Sequence, residues 1–140
     1  MKKLGAVLVI ALVLVSCDSP TSNGNAPILT AIRIVAYFTD ISQLQTSPPI
    51  TTLSAGKQYA LLFFTSDEDL DITKIVVDKI KDGRLVATDE LPVLTAQATA
   101  TATFMSIITA TETGVWKLET YLEDSRGNKS NKKSITVTVI

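Results

Sequence analysis

The chain has 140 residues, 46% of them hydrophobic, with one cysteine, no histidine, and 13 basic against 14 acidic side chains. That length suits about one domain, and the missing histidine excludes His-dependent triads, His-containing zinc sites and imidazole acid–base chemistry. The near-balanced charge offers no basic footprint for phosphate backbones, so nucleic acid is not an expected partner.

The apolar residues are concentrated at the start. Lys2 and Lys3 precede the apolar stretch Leu4 to Val15, which has the length of a signal-peptide core and falls short of the roughly 20 residues a spanning helix needs. A helix is expected there. The stretch closes on Leu14-Val15-Ser16-Cys17, which resembles the lipobox of bacterial lipoprotein signal peptides.

The resemblance implies that Leu14, Val15 and Ser16 are recognition positions, that residues 1–16 are removed, and that Cys17 takes a diacylglyceryl group on its thiol and an acyl chain on its new amino group. Two or three such chains hold a protein on a bilayer, at about 0.8 kcal/mol per buried methylene. The expected location is therefore the bacterial cell envelope, on a membrane, facing the periplasm or the cell surface. The single cysteine is then committed to lipid and leaves no thiol for a disulfide, a metal or a nucleophile. Loss of Lys2 and Lys3 leaves 11 basic and 14 acidic side chains, a net negative surface that gains nothing by lying on anionic lipid. Residues 17–26 form the tether: Asp18 to Ala26 is rich in Ser, Pro, Asn and Gly and can reach about 30 Å when extended. Asp18 also resembles the residue that retains some enterobacterial lipoproteins in the inner membrane.

Residues 27–140 show alternation and short apolar runs, which predict strands. Ile28 to Phe38 is a first strand, with Ile28, Thr30, Ile32 and Ile34 on one face and Arg33 opposite. Thr39 to Ile50, with Pro48 and Pro49, is an expected loop or irregular edge. Lys57 to Thr65 places Tyr59, Leu61 and Phe63 on one face and Leu62 and Phe64 on the other, the pattern of a central strand. Asp67 to Asp71 is an acidic turn, and Ile72 to Lys81 a strand with Ile75 and Val77 inward. Asp82-Gly83 supplies the positive φ angles of a tight hairpin, with Arg84 to Thr88 returning antiparallel. Val93 to Ile108 is a long strand in which Ala98, Ala100, Ala102 and Phe104 oppose Thr99, Thr101 and Thr103. After the turn at Gly114, Trp116, Leu118 and Leu122 face the core, against Lys117, Glu119, Tyr121 and Glu123. Asp124 to Ser130 is a turn, and Ile135, Val137 and Val139 mark the final strand.

These signals predict an all-β sandwich of about seven antiparallel strands. The strings Gly114-Val115-Trp116-Lys117-Leu118, Tyr121 to Ser130 and Ile135 to Val139, with Ala55-Gly56-Lys57-Gln58-Tyr59, Ser66-Asp67 and Asp71-Ile72, resemble bacterial immunoglobulin-like domains. That resemblance implies a two-sheet immunoglobulin-like fold and implies almost nothing about a ligand. No cysteine pair bridges the sheets, so packing must carry the stability, with Trp116 as its anchor.

The acidic run Asp67, Glu68, Asp69 and Asp71 is a candidate for calcium, which takes several carboxylate and carbonyl oxygens. Family topology can bring Asp124 to the same end of the sandwich. The spacing lacks the glycine and terminal glutamate of an EF-hand, and a solvated acidic turn is the simpler alternative. The Thr99, Thr101 and Thr103 row is ordinary strand composition, although it resembles one rung of an ice-binding face. Asn128-Lys129-Ser130 matches a glycosylation sequon that a bacterial signal peptide makes irrelevant.

No motif sets a nucleophile beside a base and no Gly-rich phosphate loop occurs. The leading expectation is a membrane-tethered, non-catalytic binding or adhesion-type module for another envelope protein, a polysaccharide or a host factor. A structural accessory or spacer subunit is the alternative, and a small His-independent enzyme a further one, which would need an enclosed pocket. Tyr37, Tyr121 and Leu62 are candidates for an exposed apolar patch.

Overall fold

The computed structural model describes residues 6–13, 25–37, 40–94 and 99–140. In chain order the elements are β1 (Ala6–Val13), β2 (Ile28–Ala36), α1 (Ile41–Thr46), β3 (Thr52–Leu53), β4 (Gln58–Ser66), β5 (Ile72–Lys81), β6 (Arg84–Pro92), β7 (Thr101–Thr109), β8 (Gly114–Asp124) and β9 (Lys133–Val139).

Two sheets form, ordered β1-β7-β4-β2 and β3-β9-β8-β5-β6. β4 lies between β2 and β7 as its two apolar faces require. Its inner face places Tyr59, Leu61 and Phe63 in the core, with Leu29, Ile34, Phe104 and Ile108 from the same sheet and Ile75, Val77, Trp116, Leu118, Leu122 and Val137 from the other. Trp116 is buried, and its indole N–H donates to the Glu112 carbonyl at 3.0 Å, which satisfies its polar edge. The Asp82-Gly83 turn has φ of +49° and +79°, the left-handed pair that joins β5 to β6 without splaying them. The fold is an all-β, immunoglobulin-like sandwich.

The structure corrects several expectations. A bulge between Leu29 and Ala31 changes the parity of β2, so Leu29 is buried and Ile28 points to solvent, while Ile32 and Ile34 remain on the core side. The expected loop at 39–50 contains α1, started by Asp40, whose carboxylate accepts from the Ser42 N–H at 3.0 Å. α1 lays Leu44 over the outer face of the sheet, where Leu44, Val35, Ala60, Leu62 and Met105 make a second buried cluster. Leu62 is therefore interior and belongs to no surface patch. Of the long strand expected from Val93, the described part is Thr101–Thr109; residues 93, 94, 99 and 100 are outside any strand, although the Val93 N–H donates to the Thr73 carbonyl at 2.8 Å, and Ala98 lies outside the described residues. β3 runs parallel to β9, a short departure from antiparallel pairing.

The start of the chain differs too. Ala6–Val13 is a strand where a signal helix was expected, paired antiparallel to β7 from Ala6↔Ile108 to Val13↔Ala102. Val7, Val9, Ile10 and Val13 are β-branched and strand-prone, and they meet an edge whose N–H and C=O groups otherwise have no partner strand. The lipobox residues Leu14, Val15, Ser16 and Cys17, and most of the tether, lie outside the described residues.

Candidate functional site

The acidic residues singled out in the sequence gather at one end of the sandwich. Ile28 pairs with Ser66 and Ile72 with Asp124, so the loop from β4 to β5 and the turn from β8 to β9 lie side by side.

Asp67 leaves β4 with its side chain turned into its own loop. One oxygen accepts from the Asp69 N–H at 3.3 Å and the other from the Asp71 N–H at 2.8 Å, while its own N–H donates to the Ala100 carbonyl at 2.7 Å. The tie holds Leu70 at φ +59°, a left-handed conformation that costs a leucine roughly 1–2 kcal/mol. Burial pushes the Asp67 carboxyl above the ordinary carboxylate range; the two N–H bonds oppose this, and the charges of Asp71 and Asp69 add to it.

Asp124 is the counterpart on β8. Its Oδ1 accepts from the Arg126 and Asn128 N–H groups at 2.9 and 2.8 Å, and its Oδ2 accepts from the Asn128 amide Nδ2 at 2.8 Å. Burial raises this carboxyl, but the bonds from Asn128 and Arg126 and the guanidinium charge outweigh it and hold it below the ordinary range. Gly127 turns the chain at φ +82°.

The two loops are stitched by residues that sequence reasoning did not single out. The Ser125 N–H donates to the Asp71 carbonyl at 2.9 Å, its hydroxyl donates to Asp71 Oδ2, and Arg126 Nη1 lies 4.0 Å from Asp69 Oδ2. Their only sequence signal was membership of the Asp124 to Ser130 turn. Asp69 is half-buried as a residue, but its carboxylate is turned away from solvent with neither oxygen hydrogen-bonded, and Asp71 Oδ1 likewise accepts no hydrogen bond. The structure thus brings Asp67, Asp69 and Asp71 to the Asp124 turn, but Asp67 directs both oxygens to backbone N–H groups and Asp124 directs its own to two backbone N–H groups and the Asn128 side-chain amide. Among the described residues no group of three or more His, Cys, Asp or Glu side chains is placed to hold a metal ion.

The other sequence candidates are dispersed. Thr99 is buried and donates to the Thr101 carbonyl at 2.6 Å, Thr101 is exposed and Thr103 buried, so the three do not form an exposed row. Tyr121 is half-buried under Lys129 and Lys132, whose ammonium groups sit 5.1 and 5.7 Å from its ring centre. Tyr37 is 37% exposed. A cavity of about 20 Å³ lies beside Trp116, Leu118, Ile108 and Val137, large enough for no more than a water molecule. The broader depression by Lys74, Glu90 and Glu123 is an open charged surface, with Lys74 paired to both glutamates at 3.2 and 3.4 Å.

No protein-family model matches the chain, and no curated protein matches it. Among solved structures, the chain is similar to the PKD domain of an M14-like peptidase from Thermoplasmatales archaeon SCGC AB-540-F20, with a TM-score of 0.53 and 17% identity over 82% of this chain and 96% of that one. It is also similar, at a TM-score of 0.42 and 11% identity over 91% of this chain and all of the other, to the CARDB domain of the PF1109 protein from Pyrococcus furiosus, solved with di-metal ions. At 17% identity the likeness to the PKD domain concerns the fold alone.

Proposed function

We propose that the chain is a bacterial envelope lipoprotein: Cys17 carries the lipid, residues 17–26 form the tether, and the sandwich is a non-catalytic module that binds another envelope protein, a polysaccharide or a host factor. The observation that carries the anchoring is the ordered sequence of Lys2-Lys3, the apolar stretch and Leu14-Val15-Ser16-Cys17. Among the described residues, the apolar cavity beside Trp116 holds no more than a water molecule, which is in keeping with the non-catalytic half. Exposed Leu85 and Val86 on the edge strand β6 support a contact surface rather than a chemical site.

The test is intact mass and membrane fractionation of the native protein beside Cys17→Ala. The expected result is acyl mass on a chain beginning at Cys17, recovered with membranes, and a variant that loses both. A soluble, unacylated wild type would overturn the anchoring. A detergent pulldown of the lipidated protein that returns no envelope component would count against the binding module.

A further inference from the structure

The edges of the two sheets are not protected alike. β2 carries Arg33 on its length, β6 carries Arg84, Asp89 and Glu90, and β3 is only two residues long. Charge and brevity are the ordinary means of keeping an edge from pairing with another chain. The outer edge of β7 has neither: it is nine residues long, and no Asp, Glu, Lys or Arg occurs from Leu91 to Thr111. Here that edge is covered by Ala6–Val13, in antiparallel register. The strand it accepts is thus uncharged, extended and rich in β-branched residues.

Cleavage before Cys17 removes Ala6–Val13 and with it the cover. We propose that in the mature protein a second copy of this chain takes its place, β7 pairing antiparallel with β7 about a two-fold axis; the proposal rests on the cleavage argued above. Thr101–Thr109 is itself an uncharged strand of the accepted kind, with three threonines and two isoleucines. Antiparallel pairing is the arrangement by which one strand can meet its own copy symmetrically. An axis through Met105, the middle residue, uses the whole strand and sets Phe104 against Ser106, Thr103 against Ile107, Ala102 against Ile108, and Thr101 against Thr109. Each pair has the same parity, so core residues meet core residues and outer residues meet outer ones. Two sheets of β2, β4 and β7 would become one continuous sheet, and anchoring both copies on one membrane raises their effective concentration.

The experiment uses native protein extracted in mild detergent. Intact mass reports whether residues 1–16 are gone, and sedimentation velocity reports stoichiometry. The expected result is a mature chain that sediments as a dimer, and an Ile107→Lys variant that is folded by circular dichroism yet monomeric. As a second readout, the double variant Thr101→Cys/Thr109→Cys should form covalent dimers on oxidation. Within one chain these positions are about 27 Å apart along a strand, far beyond the roughly 7 Å a disulfide spans. Thr101→Cys alone should not cross-link, because its copy lies equally far away. A mature monomer with no cross-linking would overturn the proposal. So would a mature chain in one-to-one complex with a different protein, which would give the edge a foreign strand instead. Retention of residues 1–16 would remove the premise itself, a result the mass distinguishes from the other two.

Discussion

Replacing Asp124 tests whether the paired loops are held by carboxylates. Asp124→Ala deletes the acceptor of three hydrogen bonds, from the Arg126 N–H, the Asn128 N–H and the Asn128 side-chain amide. Bonds to a charged group are worth about 1.5–3 kcal/mol each, but Arg126 is exposed and Asn128 half-exposed, so water recovers part of each. A loss of about 1 kcal/mol per bond gives about 3 kcal/mol in all, or about 12 °C in Tm for a domain of this size. Asp124→Asn keeps one acceptor oxygen and turns an NH₂ toward the Asn128 amide, so about half the loss is expected. The pH dependence is the sharper signature. The folded-state carboxyl is held below its ordinary range, whereas in the unfolded chain it titrates near about 3.9. As pH falls the unfolded state takes up the proton first. The advantage of the wild type over Asp124→Asn is therefore full at pH 7, declines below about pH 5, and is gone once pH passes below the folded-state value. Urea titrations followed by the fluorescence of Trp116, the single tryptophan, measure this at each pH. A loss under about 1 kcal/mol for Asp124→Ala, or an advantage independent of pH, would refute the carboxylate tie.

Asp67 has the opposite sign, because burial raises its folded-state carboxyl. Its contribution to stability should fall as pH rises from the unfolded value of about 3.9 through the raised folded one and stay level above it; Asp67→Asn should remove that slope in the same titrations. Phe104→Ala empties a fully buried position directly opposite Phe63 and should cost about 3–5 kcal/mol, read from the urea midpoint. Since the oxygens of Asp67 and Asp124 are already engaged by N–H donors, millimolar calcium should leave Tm where chelator leaves it. A rise abolished by Asp69→Asn with Asp71→Asn would show that the loops rearrange around the ion.

Period-two patterning exposed the sandwich wherever one face was consistently apolar. Tyr59, Leu61 and Phe63, Ile75 and Val77, and Trp116, Leu118 and Leu122 all lie in the core as their spacing requires. It failed at β2 because a single extra residue at a bulge inverts parity while the composition stays the same. It failed at α1 because six residues are too few for a helical period to emerge, although Asp40 ahead of the segment was an available cap signal. Asp82-Gly83 was legible because its positive φ angles restrict the residue choice. The acidic clustering marked where two loops meet. What those carboxylates bond to was not legible, since most of the donors to Asp67 and Asp124 are backbone N–H groups that every sequence supplies.

Asn131 joins the start of β2 to the approach of β9: its amide oxygen accepts from the Leu29 N–H and its Nδ2 donates to the Leu29 carbonyl, both at 3.0 Å. β2 and β9 run in the same direction: their starts meet at Asn131, and further along the Ile50 N–H donates to the Ile34 carbonyl of β2 while the Thr138 N–H of β9 donates to the neighbouring Thr51 carbonyl, so the start of β2 and the end of β9 lie at opposite poles of the sandwich. Under the proposed anchoring at Cys17, a pull applied at the far pole would run along the strands and strain the β2–β4 rungs together in shear rather than peeling them singly. The Asn131 clamp stands first in that line of force, and its two bonds would resist detachment of β2 before the rungs behind it were stressed.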